Sequence, residues 1–398
     1  MKKNIVVLFL LLFVSVLQAV SRPLATNLWD SQKLGKVKKS IHLPQYQPAY
    51  NALIKKAESA LVAHYTTVMD KVKAPASGNK HDYMSLAIYF WPNPDTKDGL
   101  PYINKDGQRN PELKQYDAEP KTAMIDGVVS MTLAGYFSGD KKYSRRAAEL
   151  LDTWFLNPAT RMNPNLDFAQ HVPGRSTGRG YGIIDTYNFV SLTDAITVLN
   201  ASGELSKAQY AGLKKWFSDF TTWLLESKNG RDEAVVKNNH GTAYEVQLSA
   251  CALFSGRPEI ALEKIHSFAQ QRIFVQITPD GSQPEELTRT LAFHYSWYNI
   301  TYMIDMAAIA KHQGVDLLKE VSTDGRSIVK GLDFLTTYVG KQSDWKWQQI
   351  HDWDVVEVQI GEELRKLSSI SGNPQYEALR VKLNKNSPDD ICWLLYSL

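Results

Sequence analysis

The segment Lys237-Asn238-Asn239-His240-Gly241-Thr242 sets two amides and an imidazole side by side just before a helical run. Further along, Arg289, His294, Tyr295 and Tyr298 fall within about three turns of one helical stretch, entered through Asp280-Gly281-Ser282 and Pro284. Amide N–H groups donate to an anion, imidazole and phenol exchange protons, and a guanidinium pairs with a carboxylate. Such a set can hold an acidic molecule and move one of its protons. Each segment alone also has a plain structural reading. Asn favours helix caps, a His beside it commonly serves packing, and Arg with several Tyr makes an amphipathic rim.

The elements that must position these residues are mostly helical. Leu53, Ala57, Ala60, Leu61, Tyr65, Val68 and Met69 share one face of 46–72, and Ala147, Leu150, Leu151, Trp154 and Phe155 one face of 142–155. Ser206 with Gln209 reads as a capping box ahead of Tyr210, Leu213, Trp216, Phe217, Phe220 and Leu224. A helix over about 242–254 should stop at Gly256 and Pro258, and further helices are expected over about 258–274, 286–311, 326–339 and 355–369. Alternating strand patterns are scarce and no composition break marks a linker. The chain therefore reads as all-α, with 22–398 as one domain. Two punctuated stretches, 75–120 and 157–182, interrupt the helices. Connections this long in a compact domain usually carry function. They set Tyr83, Tyr89 and Trp91, then Gln170, His171, Arg175 and Arg179, among small polar residues, as a carbohydrate cleft would.

Composition narrows the classes. The 398 residues are 43% hydrophobic and 22% charged, which excludes disorder and a disulfide-stapled miniprotein. The formal charge is +3, and two of the cations, Lys2 and Lys3, begin what reads as a leader. Without them, acids and bases balance to within one, too neutral for binding nucleic acid through bulk charge. An apolar run over 5–17 follows, then Ala19 and Ser21, so 1–21 reads as a signal peptide cleaved after Ser21. The mature protein is expected in the periplasm or secreted, without stable membrane association, since no other stretch approaches about 20 apolar residues. Cys251 and Cys392 could pair in an oxidising compartment or serve as two small buried side chains.

Four blocks in order resemble the alginate lyase family of polysaccharide lyases. NNHGTAYEVQ carries its Asn-Asn-His signature, and ELTRTLAFHYSWYN its Glu-Leu-x-Arg-Thr…Tyr-Ser-x-(aromatic)-Asn pattern. YMSLAIYFWPNP and QHVPGRSTGRGYGIIDT look like two further blocks of the same family. The resemblance implies an (α/α) toroid of serial helical hairpins with long cleft-forming loops. It is most similar to exported polyuronate lyases, a group that includes glucuronan-active members.

Such enzymes remove the C5 proton of a 4-linked uronate and expel the C4 oxygen. The C5–H is a very weak acid, so the adjacent carboxylate must first be neutralised. The resemblance gives that task to Asn239, with Asn238, and to His240, which protonates or hydrogen-bonds the carboxylate. Tyr295 becomes the base, its phenol lowered by Arg289 and His, and the same group returns the proton when base and leaving group share a face of the sugar. That holds for β-mannuronate, whose elimination is syn. For an anti substrate His240 becomes the base and Tyr295 the acid. Tyr298 is the alternative tyrosine, but it stands where family members can carry Phe. Gln170, His171, Arg175 and Arg179 would grip neighbouring uronates, and Tyr83, Tyr89, Trp91 and Tyr298 would wall the sugar subsites. His294, Glu285 and Glu286 read as structural, with one glutamate able to orient Arg289. The late run holding Trp345, Trp347, His351 and Trp353 could edge the same cleft.

Two rival readings stand beside this one, the first on the same helical toroid. A glycoside hydrolase needs two carboxylates at a defined separation, for which Asp352, Asp354, Glu285 and Glu286 are available without a diagnostic spacing. The other is a polysaccharide-binding protein without catalysis. No Cys/His cluster, phosphate loop or redox motif stands out, so no metal or cofactor is expected. The expected partner is an anionic polysaccharide, probed by a monomer.

Overall fold

The computed structural model describes residues 24–385 and 387–398, so the leader read over 1–21 lies outside the described residues. The helices run α1 (Ser31–Lys39), α2 (Gln47–Val62), α3 (Ala118–Ser138), α4 (Lys141–Leu151), α5 (Phe189–Ala201), α6 (Lys207–Glu226), α7 (Lys228–Ala234) and α8 (Asn239–Ser255). They continue with α9 (Pro258–Phe268), α10 (Phe274–Gln276), α11 (Pro284–Leu287), α12 (Ala292–His312), α13 (Ile328–Thr336), α14 (Trp353–Ser371), α15 (Pro374–Leu383) and α16 (Cys392–Leu395).

Their hydrophobic patterns sort them into two layers. In α3, α5, α8 and α12 apolar or small residues occupy nearly every face, and buried positions run almost without a break, as from Thr242 to Ala252. A helix apolar all round must be covered on all sides. In α4, α6, α9 and α13 the buried residues form a stripe, Tyr143, Ala147, Leu150 and Leu151 in α4, and the rest meets water. Four hairpins pack an inner helix on the outer one that follows it: α3 on α4, α8 on α9, α12 on α13 and α14 on α15. The inner helices also touch in sequence, α3 to α5 to α8 to α12 to α14, and α16 closes the circuit by touching α14, α1 and α2. This is the expected all-α toroid of helical hairpins. Among the described residues no helix is long and apolar enough to cross a membrane.

Local signals behave as their chemistry dictates. Ser206 and Gln209 form the expected reciprocal box at the start of α6, and α8 ends at Gly256 in left-handed conformation (φ 87°). Four helices differ from their periodic windows. The 46–72 pattern stops at Val62, because a second capping box at Thr67 and Asp70 starts a separate short turn, Val68–Asp70. The 142–155 and 258–274 patterns lose α geometry at π turns over Asp152–Leu156 and Ala269–Ile273. The 286–311 pattern breaks at 288–291, where tertiary partners outbid the helix: Ala292 N–H donates to Gln348 O, and Asp106 takes the Thr290 N–H. Cys251 and Cys392 are both free and buried, so they act as small core side chains rather than a pair.

The two long loops carry small sheets. Met84–Leu86 (β1) pairs in parallel with Phe168–His171 (β4), which joins one loop to the other. Phe90–Trp91 (β2) pairs antiparallel with Ile103–Asn104 (β3). Both sheets stand beside one end of the inner helices, where a cavity of about 1250 Å³ opens.

Candidate active site

The start of α8 forms the first wall. Asn238 is its N-cap, with extended backbone and a side-chain oxygen that accepts from the His240 N–H at 3.0 Å. Asn239 and His240 therefore sit in the first turn, not ahead of the helix, where free N–H groups and the helix dipole favour an anion. Gly241 is needed here, since a Cβ would lie 2.0 Å from Val236 O. Two buried carboxylates fix the two working side chains. Glu286, 1% exposed, accepts from Asn239 N at 2.6 Å and Asn239 Nδ2 at 2.7 Å. Glu233 Oε1 lies 2.8 Å from His240 Nδ1, so the ring donates there and Nε2 remains its free nitrogen. The Tyr181 ring meets the imidazole edge-on at 4.7 Å.

The second wall is the break before α12 together with its first turns. Arg289 lies with its guanidinium 3.7 Å from the centre of the Tyr295 ring. Asp106, from the loop after β3, accepts from Arg289 Nη2 at 2.6 Å and from the Thr290 N–H and hydroxyl at 3.1 and 2.9 Å. Burial would raise the Asp106 carboxyl, but the Arg289 and Thr290 hydrogen bonds hold it below its ordinary value. The Tyr295 hydroxyl is 2.7 Å from that of Tyr89. Burial pushes the Tyr295 phenol up, the charge of Arg289 opposes this, and burial wins. This corrects the expected lowering: Tyr295 is 8% exposed, and Asp106 already shares the Arg289 charge. Tyr298 borders the cavity too, stacked on Tyr302 and edge-on to His294, and burial also raises its phenol. Burial lowers His294 to about 4, so it is neutral.

The loops form the third wall, and they divide the residues expected to bind sugar. Gln170, held in left-handed backbone (φ 46°), and Arg179 border the cavity. Arg179 donates to Gln170 Oε1 at 3.0 Å and has no ion pair among the described residues. Tyr89 borders the cavity as well. Four residues expected in subsites lie elsewhere. Tyr83 is fully buried and donates to Asp185 at 3.0 Å, so it knits the loops together, with Ser85 and Gln170 bonding the same carboxylate. His171 contacts the Tyr116 hydroxyl at 3.1 Å away from the cavity lining. Trp91 donates to Gln108 O at 2.9 Å under Lys105, and Arg175 is exposed beyond the cleft.

The late aromatic run splits in two. Trp345 and Trp353 pack on Phe293 in the core, while His351 and Asp352 border the cavity. Of the four carboxylates available to a hydrolase, Asp352 alone borders it. Sequence reasoning missed Asp106 and Glu233, which come from turns and short helices distant in sequence and carry no pattern of their own. Glu286 stands in the Glu-Leu-x-Arg block, yet it grips Asn239 rather than Arg289.

Comparison with known proteins bears on this site. A family model described as alginate lyase matches residues 67–345. An alginate lyase from Bacteroides ovatus, known from its crystal structure, shares 42% identity over 94% of this chain and 99% of that one, with a TM-score of 0.91. Alginate lyase A1-III from Sphingomonas species A1 shares 16% identity over 96% and 98% of the two chains, with a TM-score of 0.61, a likeness of fold alone. Among curated proteins there is no match.

Proposed function

The chain belongs to the alginate lyase family and is a polysaccharide lyase, and from that premise we propose that it cleaves mannuronate-rich alginate by syn β-elimination at the cavity between α8, α12 and the loops. One observation carries this reading: Asn239, His240, Arg289 and Tyr295, from separated segments, all border one cavity. The Bacteroides ovatus protein's description as an alginate lyase supports the substrate.

In this mechanism the C6 carboxylate docks at the start of α8. Asn239 donates to it, and His240 donates from Nε2 while Glu233 balances the imidazolium on the other side. Withdrawing charge from the carboxylate makes C5–H acidic enough to remove. Tyr295 is the base. Because burial keeps its phenol protonated in the free protein, that proton must first pass to solvent water, and a hydrogen bond donated by Tyr89 together with the Arg289 guanidinium supports the resulting phenolate. The same hydroxyl then passes its proton to the departing C4 oxygen, which lies on the same face in β-mannuronate. Arg179, with Gln170 steadying it, binds the carboxylate of a neighbouring sugar.

A second reading has a specific observation behind it. Glu233 at Nδ1 leaves His240 Nε2 as a potential proton acceptor, which suits anti elimination of guluronate with Tyr295 as acid. Glucuronan is the remaining candidate polymer. Initial rates of ultraviolet absorbance from the new C4=C5 bond, measured on polymannuronate, polyguluronate and glucuronan, test the choice: polymannuronate is expected to be fastest, and a faster rate on either other polymer overturns it. We also propose export and a monomeric state. The mature N-terminus should be Arg22, and light scattering should give the mass of one chain; an intact leader or a dimer would contradict these.

A further inference from the structure

The Glu286–Asn239 contact leaves one group unexplained. With Nδ2 turned to Glu286 Oε2, Asn239 Oδ1 is buried and has no donor among the described residues. A buried carbonyl without a partner is costly, and a substrate carboxylate, which only accepts, cannot repair it. An ionised Glu286 would also share one amide with the substrate's own negative charge, and like charges that close disfavour each other.

Reversing the amide removes both difficulties. We infer that Glu286 works as a neutral carboxyl in the productive enzyme: its Oε2–H donates to Asn239 Oδ1, its Oε1 still accepts the Asn239 backbone N–H, and Nδ2 takes the place of the orphaned carbonyl to meet the substrate carboxylate. Glu286 is then a positioning residue that acts through Asn239, and this role rests on the proposed docking of the uronate carboxylate at α8.

The surroundings favour the neutral form. Arg289 on the following turn favours ionisation, as do the Asn239 donors, whereas neighbouring Glu285 opposes it. Tyr302 faces the carboxyl from α12 and is itself a buried, raised phenol. Burial is the largest influence and lifts Glu286 to about 7. A second anion arriving at Asn239 raises it further. Neutral carboxylic acids kept as donors by apolar burial have precedent in enzyme sites.

The test is Glu286→Gln. A Gln amide donates from Nε2 to Asn239 Oδ1 and accepts at Oε1, which copies the neutral carboxyl and cannot ionise. In wild type, kcat/KM on polymannuronate should fall as pH rises and Glu286 loses its proton. In E286Q the rate below neutrality should stay within about threefold of wild type, and the falling limb should move up by about one pH unit or more. A larger loss below neutrality, or a limb that coincides with wild type, overturns the inference. Calorimetric affinity for a saturated mannuronate oligomer must weaken over the same pH range in wild type and not in E286Q, so the inference is tested even without turnover. Absence of unsaturated product from wild type would instead count against the elimination reading. Glu286→Ala, which leaves Asn239 N–H unpartnered, should lose both turnover and affinity.

Discussion

The start of α8 and the loop wall border the same cavity but hold their side chains in different ways. At α8, Asn239 and His240 sit on the first turn of a buried helix, and a buried carboxylate grips each of them. On the loops, Arg179 is steadied by neutral Gln170 and by the Phe90 and Tyr181 rings, with no carboxylate paired to it among the described residues, and Tyr89 rests on a two-residue strand edge and one hydroxyl contact. The difference follows the work. Groups that must meet reacting atoms within a few tenths of an ångström belong on rigid elements with supporting partners. Groups that hold a flexible polymer tolerate a looser mount, and an unpaired cation is available to a carboxylate that arrives from outside.

Changes to the rigid wall and its tyrosine should cost turnover, and changes to the loops should cost binding. The largest effect belongs to Tyr295→Phe, which removes the proton carrier and keeps the ring: kcat should fall by about 10²–10⁴-fold with KM nearly unchanged. Retained activity there, with loss in Tyr298→Phe, would move the base to Tyr298. Glu233→Gln keeps the size of the support for His240 and removes its charge. Steady-state kinetics should show kcat lower by about tenfold, equivalent to about 1.4 kcal/mol of barrier, again with little change in KM. An effect on KM alone would place His240 in binding rather than chemistry.

The loop wall should give the opposite pattern. Arg179→Ala should raise KM on polymannuronate by about tenfold while kcat stays within about twofold. If kcat falls instead, the division between the walls is wrong. Smallest of all, Arg175→Ala and Trp91→Ala should leave both constants within about twofold, because neither side chain borders the cavity.

The sequence made the helices and the chemistry of the site legible for different reasons. Helical periodicity reports burial, and it located α4, α6, α13 and α14 to within a few residues. It overran at Val62 and at 288–291, where Thr67 caps a new turn and Asp106 captures Thr290, contacts that periodicity does not encode. Asn239, His240, Arg289 and Tyr295 were visible through motif order. Their partners Glu233 and Asp106 were not, because a single acidic residue in a short helix or an Asp-Gly turn looks like any solvated charge. The aromatic loop residues divided for a physical reason as well. Tyr83 and Tyr89 both read as sugar contacts, yet Asp185 draws the Tyr83 hydroxyl inward while Tyr89 is left to face Tyr295.

Elimination and hydrolysis at this cavity leave different products, so counting the products separates them. Polymannuronate is digested to partial completion, and new reducing ends and new C4=C5 chromophores are measured on the same sample. The mechanism predicts one chromophore for every new end at all extents of reaction. New ends that form without the chromophore would contradict it and assign the site to a hydrolase.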